Sequence, residues 1–214
     1  MFCDEIHTTR LDTVASAMNR HYNAFMTEFL RGHYLIAGKQ LRDTNFYKTV
    51  VLVVEHSDDG AMGLVVNRPS SIRVSHALSE HFSYPETDEV VFLGGPVEPS
   101  ALFVLHNAGD LDESESSVLP EVFVGGSAEA FSRVVQAAAS GSRDDLQIRV
   151  YSGCAGWGPG QLESELSRGD WYILPADSES LYGTDPYELW DEQMSRLTQK
   201  NRILPSGPAN PEWN

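Results

Sequence analysis

Cysteine is nearly missing: the 214 residues hold two, Cys3 and Cys154. That is too few for a disulfide framework or a thiolate metal cluster, and it fits a reducing compartment. Basic residues are scarce too, with 15 Lys and Arg against 31 Asp and Glu and a formal charge of -16. The imbalance is uneven, since residues 1–48 hold six basic and five acidic side chains and the remainder carries -17. Such a field repels phosphate backbones, so direct nucleic-acid binding is not expected, and an anionic partner would have to meet the N-terminal part. No stretch approaches the roughly 20 apolar residues that span a bilayer, and the opening MFCDEIHTTRLD breaks with charge the apolar core a signal peptide needs. A cytoplasmic protein without membrane contact is expected.

What is present is enough to fold. Hydrophobic residues make up 41% and charged residues 21%, which argues against global disorder, and the length suits one domain with terminal extensions. Leu11, Val14, Met18, Tyr22, Phe25 and Phe29 recur in steps of three and four, predicting an amphipathic helix over 10–31. Its stripe covers either the protein's own core or a second copy in a homodimer. From His33 the pattern becomes short β-branched runs: Tyr34 to Ala37, Thr49 to Val54 and Ala61 to Val66, the last two joined by a Ser57-Asp58-Asp59-Gly60 turn as a hairpin that Asn67-Arg68-Pro69 ends. Further strands are expected at Val90 to Leu93, Ala101 to Leu105, Pro120 to Val124, Leu146 to Tyr151 and Trp171 to Leu174. Helices are expected around Val74 to His81, after Ser127 as N-cap up to Gly141, over Gly160 to Leu166, and from Asp185-Pro186 through Leu197. Hairpins first and helices later predict an α+β domain with a mostly antiparallel or mixed sheet. A doubly wound parallel fold needs crossover helices for which the early loops are too short. The organisation reads as a helical extension over 1–31, an α+β domain over 32–198 and a flexible proline-rich tail over 199–214.

Several segments together carry a resemblance: Ile36-Ala37 with Asp43 and Phe46, Val50 to His56, Gly60-Ala61-Met62-Gly63-Leu64-Val65-Val66-Asn67-Arg68-Pro69, Phe92-Leu93-Gly94-Gly95-Pro96-Val97, Leu102 to His106, and Gly153-Cys154-Ala155-Gly156-Trp157-Gly158-Pro159-Gly160-Gln161-Leu162-Glu163. In this order and spacing they resemble the YqgE/AlgH family of bacterial proteins over about residues 30–198. The resemblance implies a strongly curved, barrel-like sheet flanked by helices and a cytoplasmic location. It brings no defined reaction, but a transcriptional-regulator label that some members carry after an effect on alginate production.

Read for chemistry, the chain offers binding candidates at Glu55, His56, Asn67, Arg68, His106, Trp157, Gln161 and Glu163, and no catalytic, metal or cofactor set. Glu55, His56 and His106 each end a strand and could converge for acid and base work or metal-assisted hydrolysis. Against this, neighbouring strand residues such as Glu55 and His56 point to opposite faces. The glycine-rich run from Gly156 into the helix at Gln161 lacks the Lys-Ser/Thr of a phosphate loop, and Glu163 and Glu165 put negative charge where an anion would sit. It reads as a tight turn placing Trp157, with a small-molecule or protein-binding loop as the alternative. Arg68 within its turn could meet a carboxylate, or simply specify the turn. Cys154 has no adjacent base or cation and reads as a small buried residue, while His76 and His81, five apart, lack ligand spacing. The preferred function is a non-catalytic regulatory or adaptor protein with an unidentified protein partner. The alternative is a small hydrolase or metal-assisted enzyme using Glu55, His56 and His106.

Overall fold

A computed structural model describes residues 30–79, 81–111, 117–125 and 127–203. Nearly all of the helix expected over 10–31, with the homodimer contact assigned to it, lies outside these residues, as does the tail expected over 199–214 from Leu204 onward, while its residues 199–203 belong to a helix. The chain forms β1 (His33–Ala37), β2 (Val50–Ser57), β3 (Gly60–Val65), β4 (Pro69–Arg73), α1 (Val74–Leu78), β5 (Val90–Leu93), β6 (Val97–His106) and β7 (Phe123–Val124). It continues with α2 (Ala128–Ser140), β8 (Ile148–Trp157), α3 (Gln161–Ser167), β9 (Trp171–Pro175), α4 (Ser178–Gly183) and α5 (Leu189–Ile203).

The strands join in one mixed sheet of order β4-β5-β8-β3-β2-β1-β9, with β6 on β8 and β7 on β6. Among the described strands only β5 and β8 run parallel, through Phe92 opposite Tyr151 and Leu93 opposite Ser152; the other pairings are antiparallel. The α+β class and mixed sheet are as expected, but the sheet does not close into a barrel, since β4 and β9 stand at its two ends without pairing to each other. The β2–β3 hairpin pairs Ser57 with Gly60 across the two-residue turn Asp58-Asp59. Pro69 opens edge strand β4, where its missing N–H costs no ladder bond.

Strands β1 and β2 read as unbroken apolar runs because both of their faces are covered. Tyr34, Ile36, Val50, Leu52 and Val54 join a core with Leu181 of α4 and with Leu189 and Trp190 of α5. The alternating set Leu35, Ala37, Val51 and Val53 packs on the other face with Trp157, Leu162 of α3 and Trp171. A third cluster sets Val134 and Val135 of α2 on Val104 and Val150. Local caps hold the helices in place. Ser127 Oγ accepts from Ala130 N at 3.0 Å, Gly141 closes α2 at φ 59°, and Asp177 Oδ1 accepts from Ser180 N at 2.7 Å.

Strand β8 runs further than the sequence pattern indicates. The expected Leu146 to Tyr151 strand starts later, at Ile148, and continues through the glycine-rich run to Trp157. Glycine permits this because the chains meet backbone to backbone: a Cβ on Gly153 would lie 2.5 Å from Gly95 O, and the residue takes φ 69°. Only Gly158 to Gly160 remain as the turn into α3.

Candidate functional site

The end of β8, α3 and the β2–β3 hairpin assemble one polar and aromatic cluster. Ala61 pairs with Trp157 and His56 with Ala61, so the register places His56 beside the start of α3. His56 Nε2 and Glu163 Oε1 are hydrogen-bonded at 2.9 Å, with the histidine side chain 1% exposed and that of Glu163 33% exposed. Its other ring nitrogen, Nδ1, is buried without a hydrogen-bond partner. Glu55, the next residue, faces solvent, as the strand's alternation requires. The pair ties α3 to the end of the β2–β3 hairpin.

Beside it, Glu165 serves as a shared acceptor. Trp157 Nε1 and Trp171 Nε1 each donate to Glu165 Oε2 at 2.8 Å, and Gln161 Nε2 donates to Oε1 at 2.9 Å. Gln161 Oε1 accepts from Gly158 N at 3.1 Å, which closes the turn. The indole of Trp157 lies 6.0 Å from that of Trp171 at 79°, and Phe46 stacks on Trp157 at 6.3 Å. Glu165 was missed as a site residue, although Gln161 and Glu165 stand four apart, the spacing that places two side chains on one helix face.

The other candidates lie elsewhere. Asn67 is buried: its Oδ1 accepts from Val50 N at 2.8 Å and its Nδ2 donates to Lys48 O at 3.0 Å, fixing Lys48 at φ 54°. Arg68 Nη2 donates to Tyr47 O at 2.8 Å. His106 is fully buried, stacks on Phe123 with centroids 5.7 Å apart, and pairs with Ile148 at the opposite end of β8. Nine residue steps along β8 separate that end from Trp157, roughly 30 Å at the usual rise. The structure therefore brings together His56, Trp157, Gln161 and Glu163, and it does not bring Glu55 and His106 to them. Among the described residues no group of three or more His, Cys, Asp or Glu could hold a metal ion, and no helix is long and apolar enough to cross a membrane.

Cys154 is buried in β8, and burial together with the charge of Glu98 pushes its thiol up. In a Cys3→Ser background its alkylation at neutral pH is expected to be slower than in urea by on the order of 100-fold. Equal rates in the two conditions would show an open, reactive thiol.

Residues 34–202 match the family model described as AlgH-like, DUF179. The chain is 34% identical over 184 residues to a UPF0301 protein of Chlorobaculum tepidum, covering 86% of this chain and 95% of that protein. It is 38% identical over 177 residues to a UPF0301 protein of Myxococcus xanthus, covering 81% and 93%. Among solved structures, the AlgH protein of Pseudomonas aeruginosa superposes with a TM-score of 0.66 at 34% identity, over 85% of this chain and 95% of that one. A Corynebacterium diphtheriae protein at 22% identity, with a TM-score of 0.63 over 78% and 86%, shares the fold. The chain belongs to the AlgH-like family.

Proposed function

We propose that this AlgH-like protein is a non-catalytic regulatory or adaptor protein of the bacterial cytoplasm, built as an α+β domain over 32–198 and acting by binding another protein. One observation carries the reading: the polar side chains gathered at the end of β8 are mostly bonded to each other. Glu165 takes both indoles and Gln161, and Glu163 takes His56 Nε2. The distance to His106 leaves the hydrolase reading without its second imidazole.

A surface suited to a protein partner lies where the segment from Gly38 to Lys48 meets α5. Two adjoining hollows of about 360 and 370 Å³ share Lys39, Trp190 and Asp191. Tyr47 lines one of them and is 57% exposed, and Tyr187, three residues before Trp190, is 76% exposed. Lys48 Nζ stands 4.7 Å over the Trp190 ring and 3.6 Å from Asp191. Exposed tyrosines are among the side chains from which interface hot spots are made, and the Trp190 that lines both hollows is itself anchored in the core.

The test joins two measurements on the full chain. Tagged protein is expected to retain a stoichiometric protein partner after nuclease treatment, and Tyr47→Ala with Tyr187→Ala is expected to release it without lowering the thermal midpoint. Duplex DNA is expected to show no footprint at nanomolar protein and near-physiological salt, because the body carries -17. A footprint, or a partner held equally well by the double variant, would overturn direct protein contact through this surface.

A further inference from the structure

Arg149 stands apart from the other arginines in its surroundings. Its guanidinium is sandwiched, with the carbon 4.9 Å from the Phe92 ring centroid and 5.8 Å from that of Tyr182. Nη2 donates to Tyr182 O at 3.3 Å, while Nη1 is buried with no acceptor. Among the described residues no carboxylate pairs with it. The hydroxyl of Tyr182 is also buried without a hydrogen bond, and that of Tyr151, buried too, stands close enough to interact with the Arg149 side chain. Burial pushes both phenols up and the charge of Arg149 pulls them down, so cation and hydroxyls share one neighbourhood. A guanidinium cannot shed its charge, and although Arg149 as a whole is half-buried, its enclosed Nη1 is costly to leave without an acceptor.

Arg149 also lines a cavity of about 210 Å³ between β5 and the start of β8, with Val74, Val90, Phe92 and Ile148 among its walls and exposed Glu89 beside them. The cavity arises from topology. β5 bonds to β8 only from Tyr151 onward, so the two parallel strands diverge toward their N-terminal ends. The volume is below the roughly 300–1,000 Å³ of pockets for drug-sized ligands. Apolar walls select an aliphatic body, and the planar guanidinium matches a carboxylate. Glu89 lies exposed at the edge of the same space and accepts from the Tyr84 hydroxyl at 3.4 Å, so water screens its charge, which opposes each negative charge a ligand brings.

We propose that this cavity is a binding site for a small aliphatic monocarboxylate, anchored through its carboxylate on Arg149 Nη1 with its body against Val90, Phe92 and Ile148. The assignment does not depend on the protein-binding surface at α5, which lies on other elements.

The test follows the Arg149 side-chain N–H resonance of the full chain at fixed ionic strength while 4-methylpentanoate, 4-methylpentanol or inorganic phosphate is added to ~10 mM. That ceiling exceeds the roughly millimolar affinity within reach of one charged contact and a small apolar body. A saturable shift is expected with 4-methylpentanoate alone. Arg149→Lys should weaken the binding at least tenfold, followed on backbone resonances of Val90 and Ile148. Should that variant fail to fold, Val90→Phe, which fills the cavity and keeps Arg149, is expected to abolish the shift while the thermal midpoint stays within a few degrees. No saturable shift in wild type, an equal response to the alcohol or to phosphate, or undiminished binding by Val90→Phe would each overturn the site.

Discussion

Trp157→Ala is expected to destabilise the protein by about 3–5 kcal/mol, the range for a large aromatic side chain removed from a core. The indole is buried, packs with Phe46 and Trp171, and contributes to the second core cluster on the face of the sheet covered by α3. At about 2–4 °C per kcal/mol for a domain of this size, the thermal midpoint should fall by roughly 6–20 °C. Trp157→Phe keeps most of the apolar area and loses the bond to Glu165, so it should cost less, about 1–3 kcal/mol. Urea denaturation followed by circular dichroism separates the two. Wild-type stability in Trp157→Ala together with loss of a cellular partner would make the end of β8 a recognition surface.

Glu165→Ala should be the next most damaging change. It leaves the buried indole N–H groups of Trp157 and Trp171 without their common acceptor and releases Gln161 from its bond to the same carboxylate. Each buried donor left unmade costs about 1–3 kcal/mol, so a loss of about 2–6 kcal/mol is expected. Glu165→Gln retains one oxygen able to accept from an indole and should recover part of that loss. Tryptophan emission is a second readout, since opening the cluster exposes indoles to water and shifts it to the red. A Glu165→Ala variant within 0.5 kcal/mol of wild type would show that the carboxylate bonds contribute no more than water does.

The hairpin of β2 and β3 was legible because its signals are local: two β-branched runs, an acidic two-residue turn and a glycine beside it. The helix after Ser127 was legible for the same reason, since the cap and the Gly141 stop lie within the helix's own few residues. The glycine-rich run after Tyr151 was read as the way out of a strand, whereas it is strand as far as Trp157. Glycine carries two meanings, a turn or a place where another backbone comes close, and only the approach of Gly95 to Gly153 selects the second.

The candidate residues divide along the same line. Trp157, Gln161 and Glu163 are neighbours in sequence, so their grouping could be read directly; His56 joins them only because two antiparallel registers bring residues 107 apart into hydrogen-bond reach. His106 ends a strand just as His56 does, but that strand is laid along the other end of β8. Sequence by itself determined the α+β class, the strand character of β1 and β2, the acidic body that disfavours nucleic acid, and the family. Composition and hydrophobic period act over a few residues or over the whole chain at once. Which polar groups meet was decided only by tertiary structure. The sharing of Glu165 by two tryptophans and the enclosure of Arg149 between Phe92 and Tyr182 depend on strand order and on helices α3 and α4 closing over the sheet, and long-range pairing of that kind leaves no local periodicity to read.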